Sequence, residues 1–258
     1  MKTRYILLLF VGTFAILPVR AQKETTKGIE WAAARGLEYS IKAGFNIGGT
    51  APVPLPEEIR SIKGYNPRLS MFLEGSITKW FDAHWGMQTG IRLETKGMST
   101  DARVKNYGME FYMDSPDPLV GRWTGRVKTK VNNTYLTVPV LATYKLTSRW
   151  RLQGGPFFSY LIDGDFSGHV FEGYLRENDP TGNKIEFKGD SKATYDFSDD
   201  LRKFQWGAQL GAEWKAFKQL TVNANLTWGF KDIFKSNFKT VTFDLFPIYL
   251  QLGFGYAF

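Results

Sequence analysis

The segment Leu220-Thr-Val-Asn-Ala-Asn-Leu-Thr-Trp-Gly-Phe230 alternates between apolar and small polar side chains. Successive side chains of a β-strand point to opposite faces, so one face of this segment is apolar and the other carries threonine, asparagine and glycine. A tilted strand of about ten residues is long enough to cross a bilayer. The segment therefore predicts a membrane-spanning β-strand.

Seven further segments follow the same two-residue period, at residues 38–48, 68–78, 85–94, 135–146, 150–162, 204–214 and 246–258. Pro139, Pro156 and Pro247 interrupt the pattern, and each removes a backbone donor, so we expect bulges or strand ends there. Together the segments predict an all-β fold, an eight-stranded antiparallel up-and-down transmembrane β-barrel with long extracellular loops.

The two faces of these strands differ in charge. The apolar faces carry no charged residue, whereas the opposite faces carry Lys42, Arg68, Glu74, Arg92, Glu94, Lys145, Arg151 and Glu213. A charge in the middle of the bilayer costs about 2–4 kcal/mol, so the apolar faces are predicted to meet lipid. The predicted lumen charges are Arg68, Glu74, Arg92, Glu94 and Glu213.

A soluble barrel with an apolar interior is the main alternative fold. It is disfavoured because an eight-stranded barrel has little room inside for tryptophan and phenylalanine. The aromatic residues also fall at strand ends, as interfacial girdles do. Trp85, Trp150, Trp214 and Tyr256 are predicted to form one girdle, and Trp206 and Trp228 belong to the other.

The amino terminus has the features of an export signal. A basic start, an apolar run and small residues before position 22 predict cleavage between Ala21 and Gln22. The predicted organisation is a signal peptide (1–21), a periplasmic segment (22–37) and the barrel (38–258). With no cysteine and two histidines, disulfides and cysteine or histidine-rich metal centres are excluded, and we expect no cofactor. Without the three basic residues of the leader, the net charge falls from +8 to 30 − 25 = +5, which is weak support for a nucleic-acid partner. No nucleic-acid partner is expected for an exported protein.

Connection lengths predict the orientation. Short connections at 81–84, 147–149 and 216–219 alternate with long ones at 49–65, 97–132, 164–203 and 232–240. Short periplasmic turns and longer outer loops are typical of outer-membrane barrels, which puts both termini in the periplasm. Loops 97–132 and 164–203 combine aromatic and charged residues, which suits contact with envelope protein partners or glycans. Solvated loops that only shield the mouth of the barrel are the alternative. Residues 178–183 signal a hairpin that extends two strands above the membrane.

Four segments resemble the PorT-like outer-membrane β-barrel family of Bacteroidetes: residues 42–49, 135–144, 154–160 and 252–258. The resemblance implies an eight-stranded barrel in contact with outer-membrane lipid. One member of that family is tied to type IX secretion, so the resemblance suggests an accessory role in secretion or surface assembly. The terminal Phe258 resembles the signal read by the barrel-assembly machinery.

Two other functions are compatible with the sequence. Asp163, Asp165, Ser167 and His169 bring an acid, a hydroxyl and an imidazole together, as an outer-leaflet lipid-modifying enzyme requires. The lumen charges could line a narrow ion path, although an eight-stranded lumen favours a plugged core. We predict a non-enzymatic structural or binding protein.

Overall fold

The computed structural model describes residues 34–111 and 119–258. The predicted signal peptide, its Ala21–Gln22 junction and most of segment 22–37 lie outside these residues. The strands are β1 (Leu37–Pro52), β2 (Ile59–Pro67), β3 (Met71–Trp80), β4 (Trp85–Phe111), β5 (Leu119–Lys145), β6 (Trp150–Glu177), β7 (Lys184–Asp196), β8 (Phe204–Lys215), β9 (Leu220–Gly229) and β10 (Leu245–Ala257). A 3-10 turn, Ser198–Asp200, precedes β8. No helix in the described part is long and apolar enough to cross a membrane.

Eight of these strands close into a ring. The ring order is β1, β3, β4, β5, β6, β8, β9 and β10, and β10 pairs again with β1, with every neighbour antiparallel. Closure matters because lipid offers no partner for the backbone of a free strand edge. The predicted eight-stranded up-and-down barrel is confirmed, and β2 and β7 are additions that pair with β4 and β6.

The wall of the ring has an apolar outside and a polar inside. Leu210 and Leu226 on the outer surface are 67% and 49% exposed, whereas Gln209 and Asn225 beside them are 1% and 4% exposed. The soluble alternative requires the opposite arrangement. The apolar faces therefore point away from the lumen, as contact with lipid requires.

Three strands continue well beyond one end of the ring. β4, β5 and β6 have 27, 27 and 28 residues, compared with 10 in β3 and 10 in β9. Most of segments 97–132 and 164–203 is therefore strand, so their prediction as loops is wrong. The predicted hairpin around 178–183 is confirmed, because Tyr174 pairs with Glu186 across it. We call this end of the molecule the tall end and the other the short-turn end.

The extension formed by β2, β7 and the upper parts of β4–β6 has the opposite polarity to the ring. In β5, Val127 and Val131 are buried inside, whereas Lys128 between them is exposed. The connection 230–244 adds Ile233, Phe234 and Val241 to the same apolar core. Water surrounds this part, because an outer surface carrying Lys128 and its neighbours would be costly in hydrocarbon.

Pro139 and Pro156 are accommodated by gaps rather than bulges, whereas Pro247 lies near the start of β10, where the ladder with β9 begins only at Ile248. The β4–β5 ladder skips the positions beside Pro139, and the β5–β6 ladder skips the positions opposite Pro156, with no change of register at either. The bulges lie elsewhere, for example between Val104 and Tyr107. A missing proline donor thus opens the ladder locally without shifting the strand.

Candidate functional site

The centre of the lumen holds an ion pair between neighbouring strands. Glu74 on β3 lies directly across from Arg92 on β4. The Arg92 Nη2 and Nε atoms lie 2.5 and 2.6 Å from Glu74 Oε2. Arg92 also donates to Gln209 Oε1 on β8 at 3.0 Å, which links opposite sides of the wall. Both charged side chains are almost fully buried, so the pair lies in the interior of the barrel.

A second cluster lies nearer the short-turn end. Lys42 Nζ contacts Glu213 Oε2 at 2.7 Å, and Arg151 Nη1 lies 3.4 Å from Glu213 Oε1. Arg151 also pairs with Glu38, at the start of β1. Four charged side chains thus close this end of the lumen. Glu38 was not among the predicted lumen charges, although it opens the first alternating segment.

A third cluster closes the lumen toward the tall end. Lys96 Nζ lies 3.0 Å from Glu94 Oε1. Glu94 accepts hydrogen bonds of 2.7 Å each from Thr137 and Gln251. The Lys96 ammonium also lies 5.3–5.7 Å from the ring centres of three inward-facing aromatic residues, Tyr135, Phe157 and Tyr249.

This aromatic layer was not predicted from the sequence, because large rings were expected only on the lipid side. A signal for it was present. These rings occupy the polar phase of their strands, beside Asn133, Ser159 and Gln251.

The structure places Glu74, Arg92, Glu94 and Glu213 inside the lumen. Arg68 is different, and its prediction as a lumen charge is corrected here. Residues 68–70 interrupt the strand between β2 and β3, and the alternation toward the lumen begins only at Ser70 and Phe72. Arg68 is consequently exposed on the outside of the barrel.

Arg68 borders a hollow on the outer face of the extension. This hollow has a volume of about 870 Å³ and is also lined by Lys128, Lys130, Ser167 and His169. Lys130 Nζ contacts Asp165 Oδ2 at 2.6 Å. Burial and the nearby Lys128 and Lys192 ammonium groups lower the pKa of His169. The lining carries three cationic side chains, Arg68, Lys128 and Lys130, and one carboxylate, Asp196, so cations outnumber carboxylates in this hollow.

The geometry of this hollow differs from that of a hydrolytic triad. The Ser167 hydroxyl donates to Asp165 Oδ1 at 2.6 Å, and within the described residues no hydrogen bond joins Ser167 to His169. The His169 ring instead packs against Phe171, with ring centres 5.4 Å apart. A nucleophilic serine needs its base within hydrogen-bonding reach.

The predicted girdle residues all lie on the outer surface of the ring. Trp85, Trp150, Trp214 and Tyr256 are exposed at the short-turn end, and Trp206 and Trp228 are exposed at the opposite end of the ring. Trp150 stacks on Trp214 across the β6–β8 pair with ring centres 6.3 Å apart. Phe258 follows β10, and its N–H donates to the Tyr39 carbonyl at 2.9 Å.

Several solved structures align with most of this chain at low sequence identity. The crystal structure of Ail from Yersinia pestis aligns with 86% of this chain and 98% of its own, at 13% identity and a TM-score of 0.36. OprG from Pseudomonas aeruginosa aligns with 87% of this chain and 97% of its own, at 15% identity and a TM-score of 0.34. Outer Membrane Protein W from E. coli aligns with 86% and 97%, at 16% identity and a TM-score of 0.32. Comparison with curated proteins finds no match.

A family profile provides the assignment. The profile described as "Outer membrane protein beta-barrel domain" matches residues 20–235, which is most of the chain. The closed ring, the apolar outer wall and the buried polar lumen are the features that this description requires. The chain therefore belongs to the outer membrane protein beta-barrel domain family, and its place is the outer membrane.

Proposed function

We propose that this protein is a plugged outer-membrane barrel with a structural or binding role, acting neither as a channel nor as an enzyme. The lumen carries this proposal. Its charges are paired across strands, as in the 2.5 Å contact of Arg92 with Glu74, and the apolar core of the extension lies above them. Eight strands leave an interior just wide enough for side chains to fill.

The proposed orientation has the tall end outside the cell. The turns at the other end are short, and β1 begins and β10 ends there, so both termini are proposed to be periplasmic. Short periplasmic turns opposite longer extracellular structure are the rule for outer-membrane barrels. Assembly through the terminal Phe258 by the barrel-assembly machinery is part of the same proposal.

The proposed contact surface is the outer face of the extension, within segments 97–132 and 164–203. Two of its cations already have acidic partners, in the pairs Arg126–Asp101 and Lys130–Asp165. Lys128 and Arg68 are exposed beside them. This distribution favours an acidic partner, because complementary charge steers association.

Membership of a type IX secretion or surface-assembly complex is a finer proposal, and it rests on the PorT-like resemblance alone. Its test is co-purification with a defined secretion component from cross-linked cells. A chain that is purified without any such component under these conditions would contradict it.

Planar bilayer recording tests whether side chains close the lumen to ions. The purified protein is expected to give no stable conductance step, because a permeating ion would have to displace buried ion pairs. A porin reconstituted in the same way serves as the control for a working bilayer. Reproducible single-channel steps from this protein would contradict the proposal.

A further inference from the structure

A cleft runs through the wall of the molecule between β1 and β2. The β1–β3 ladder ends at the pair Phe45–Met71, while β1 continues along β10 as far as Pro52. Above that point β2 takes the place of β3 beside β4. In the part of the chain that the structure describes, no backbone ladder joins β1 to β2. Among the described residues, the side-chain hydrogen bond that joins β1 to β2 runs from the Tyr65 hydroxyl to the Gly48 carbonyl, at 2.6 Å.

The upper end of β1 lies behind β2 rather than beside it. A Cβ atom built on Gly49 would lie 2.6 Å from Met98 Sδ and 3.5 Å from the Tyr65 ring. Met98 belongs to the inner face of β4, where it is 5% exposed. One side of β1 therefore faces the inner wall of the extension, and the space between them is open to the side.

That space is an apolar cavity of about 410 Å³. Its walls include Ile59, Met98, Val104, Val127, Phe166 and Leu245. Its few polar groups are the hydroxyls of Tyr65, Tyr107 and three threonines, and none of the lining residues is charged. Ligand sites in proteins are typically apolar cavities of about 300–1,000 Å³ with a small number of placed polar groups.

The opening continues the lipid-facing surface of the barrel. Phe45 and Ile47 point outward just below it, and Leu69, at 77% exposure, lies at its base. Ile62 extends the apolar margin upward and is 60% exposed. Large apolar side chains exposed together above the ring are costly in water and mark contact sites. The cavity lining itself carries no charged residue, so an apolar molecule that enters from this side meets apolar walls.

We propose that this cleft binds a neutral single-chain amphiphile, an alkyl chain that ends in a hydroxyl group. The apolar walls receive the chain, and the tyrosine and threonine hydroxyls receive the head. A charged head is disfavoured, because the cavity offers no counter-charge and an unpaired buried charge is costly. The inference rests on the proposed binding role, and it names the ligand class for one part of the tall end.

Photolabelling of the full-length protein in lipid nanodiscs tests this site. The probe is a dodecanol analogue with a diazirine in its chain, and labelled residues are located by mass spectrometry. Label is expected on Met98 and the β2 wall, and it should fall at least about tenfold in Ala51→Phe, which fills the cavity. Ala102→Phe, on the opposite wall, is a second filling variant. Ala43→Phe, on the lipid-facing part of β1, is the matched control and should leave the cleft label unchanged.

Two comparison probes separate the alternatives. A phospholipid with a diazirine in one chain should label the outer belt at Leu210 and Leu226 and leave Met98 unlabelled. The corresponding dodecanoate should label the cleft less than the alcohol does. Cleft label that survives both filling variants, or dodecanol label confined to the outer belt, would overturn the proposal. A conducting lumen would contradict the plugged barrel and leave this result intact, so the two failures are distinguishable.

Discussion

At the scale of single residues, the lumen contains buried ion pairs in which the loss of one partner leaves the other charge unpaired. Arg92 is 1% exposed and its main partner Glu74 is 2% exposed. We expect Arg92→Leu to lower the free energy of unfolding by about 3–5 kcal/mol, because it leaves a buried carboxylate without its counter-charge. Urea unfolding in lipid vesicles, followed by heat-modifiable gel mobility, measures this change.

The control for Arg92 lies on the extension. Arg126 also pairs with a carboxylate, that of Asp101, but its side chain is 33% exposed. Arg126→Leu should therefore cost less than about 1 kcal/mol. The double variant Arg92→Leu/Glu74→Leu should recover most of the loss. Equal effects at Arg92 and Arg126 would contradict a dry, paired lumen.

His169 makes a prediction about pH. Burial and two nearby lysines lower its pKa, so the folded protein binds a proton at His169 less readily than the unfolded chain does. The contribution of His169 to stability is therefore complete above its ordinary pKa of about 6.5 and is lost as the pH falls below it. His169→Gln should reduce the loss of unfolding free energy between about pH 7.5 and about pH 5.5. An unchanged pH dependence of the unfolding free energy in His169→Gln would contradict a lowered pKa of His169 in the folded protein.

At the scale of elements, the strands that continue into the extension keep the same side inward, but that side changes from polar to apolar. In β5, Thr137 and Thr143 point into the lumen, and farther along the same side Val127 and Val131 form an apolar core. The polar lumen gives way to the apolar core near Asn133 and Tyr135, which are buried at 2% and 3% exposure. This change of polarity marks where the surroundings change from lipid to water.

The same change of polarity explains which parts of the fold could be predicted from the sequence and which could not. The period of two identified all eight ring strands, because lipid imposes an uncharged face on each of them. It did not extend β4, β5 and β6, because Lys128 and Lys130 on the outer face were read as loop charges. The alternation continues there, as Val127-Lys-Thr-Lys-Val131 shows, but the buried face is now apolar and the outer face charged. Arg68 was misplaced because a break in the strand leaves no mark in a two-residue period.

The two halves of a long strand should differ in their response to a charge. Val131 is fully buried in the extension core, and its neighbour Lys130 lies on the outer face. Val131→Asp is expected to unfold the extension, because an unpaired charge would enter an apolar core. The ring should persist, since its own outer wall and lumen are unchanged. Limited proteolysis should then release pieces of the extension and leave a protected, heat-modifiable barrel.

Lys130→Asp is the matched control for Val131→Asp. It removes the pair with Asp165 on the surface and leaves the core filled. Its proteolytic pattern should resemble that of the unmodified protein. Loss of the whole barrel in Val131→Asp would instead show that the ring and the extension fold as one cooperative unit.

At the scale of the whole molecule, one sheet is suited to both lipid and water. The ring has an apolar outer face and a polar inner face. The extension has a polar outer face and an apolar core, and it closes the lumen from above. Closure of the ring leaves no free strand edge at membrane depth, and the unpaired seam between β1 and β2 lies only above it. Among the described residues, the added strands β2 and β7 and this seam lie at the tall end.

Methyl contacts with acyl chains provide the most direct test of which side of the wall meets lipid. Leu210 is 67% exposed on the outer wall, and Leu141 is fully buried on the lumen side. In nanodiscs containing the native protein with labelled leucine methyl groups, Leu210 and Leu226 should show nuclear Overhauser contacts with acyl-chain protons, and Leu141 should show none. Acyl-chain contacts at Leu141, with none at Leu210 and Leu226, would contradict the account.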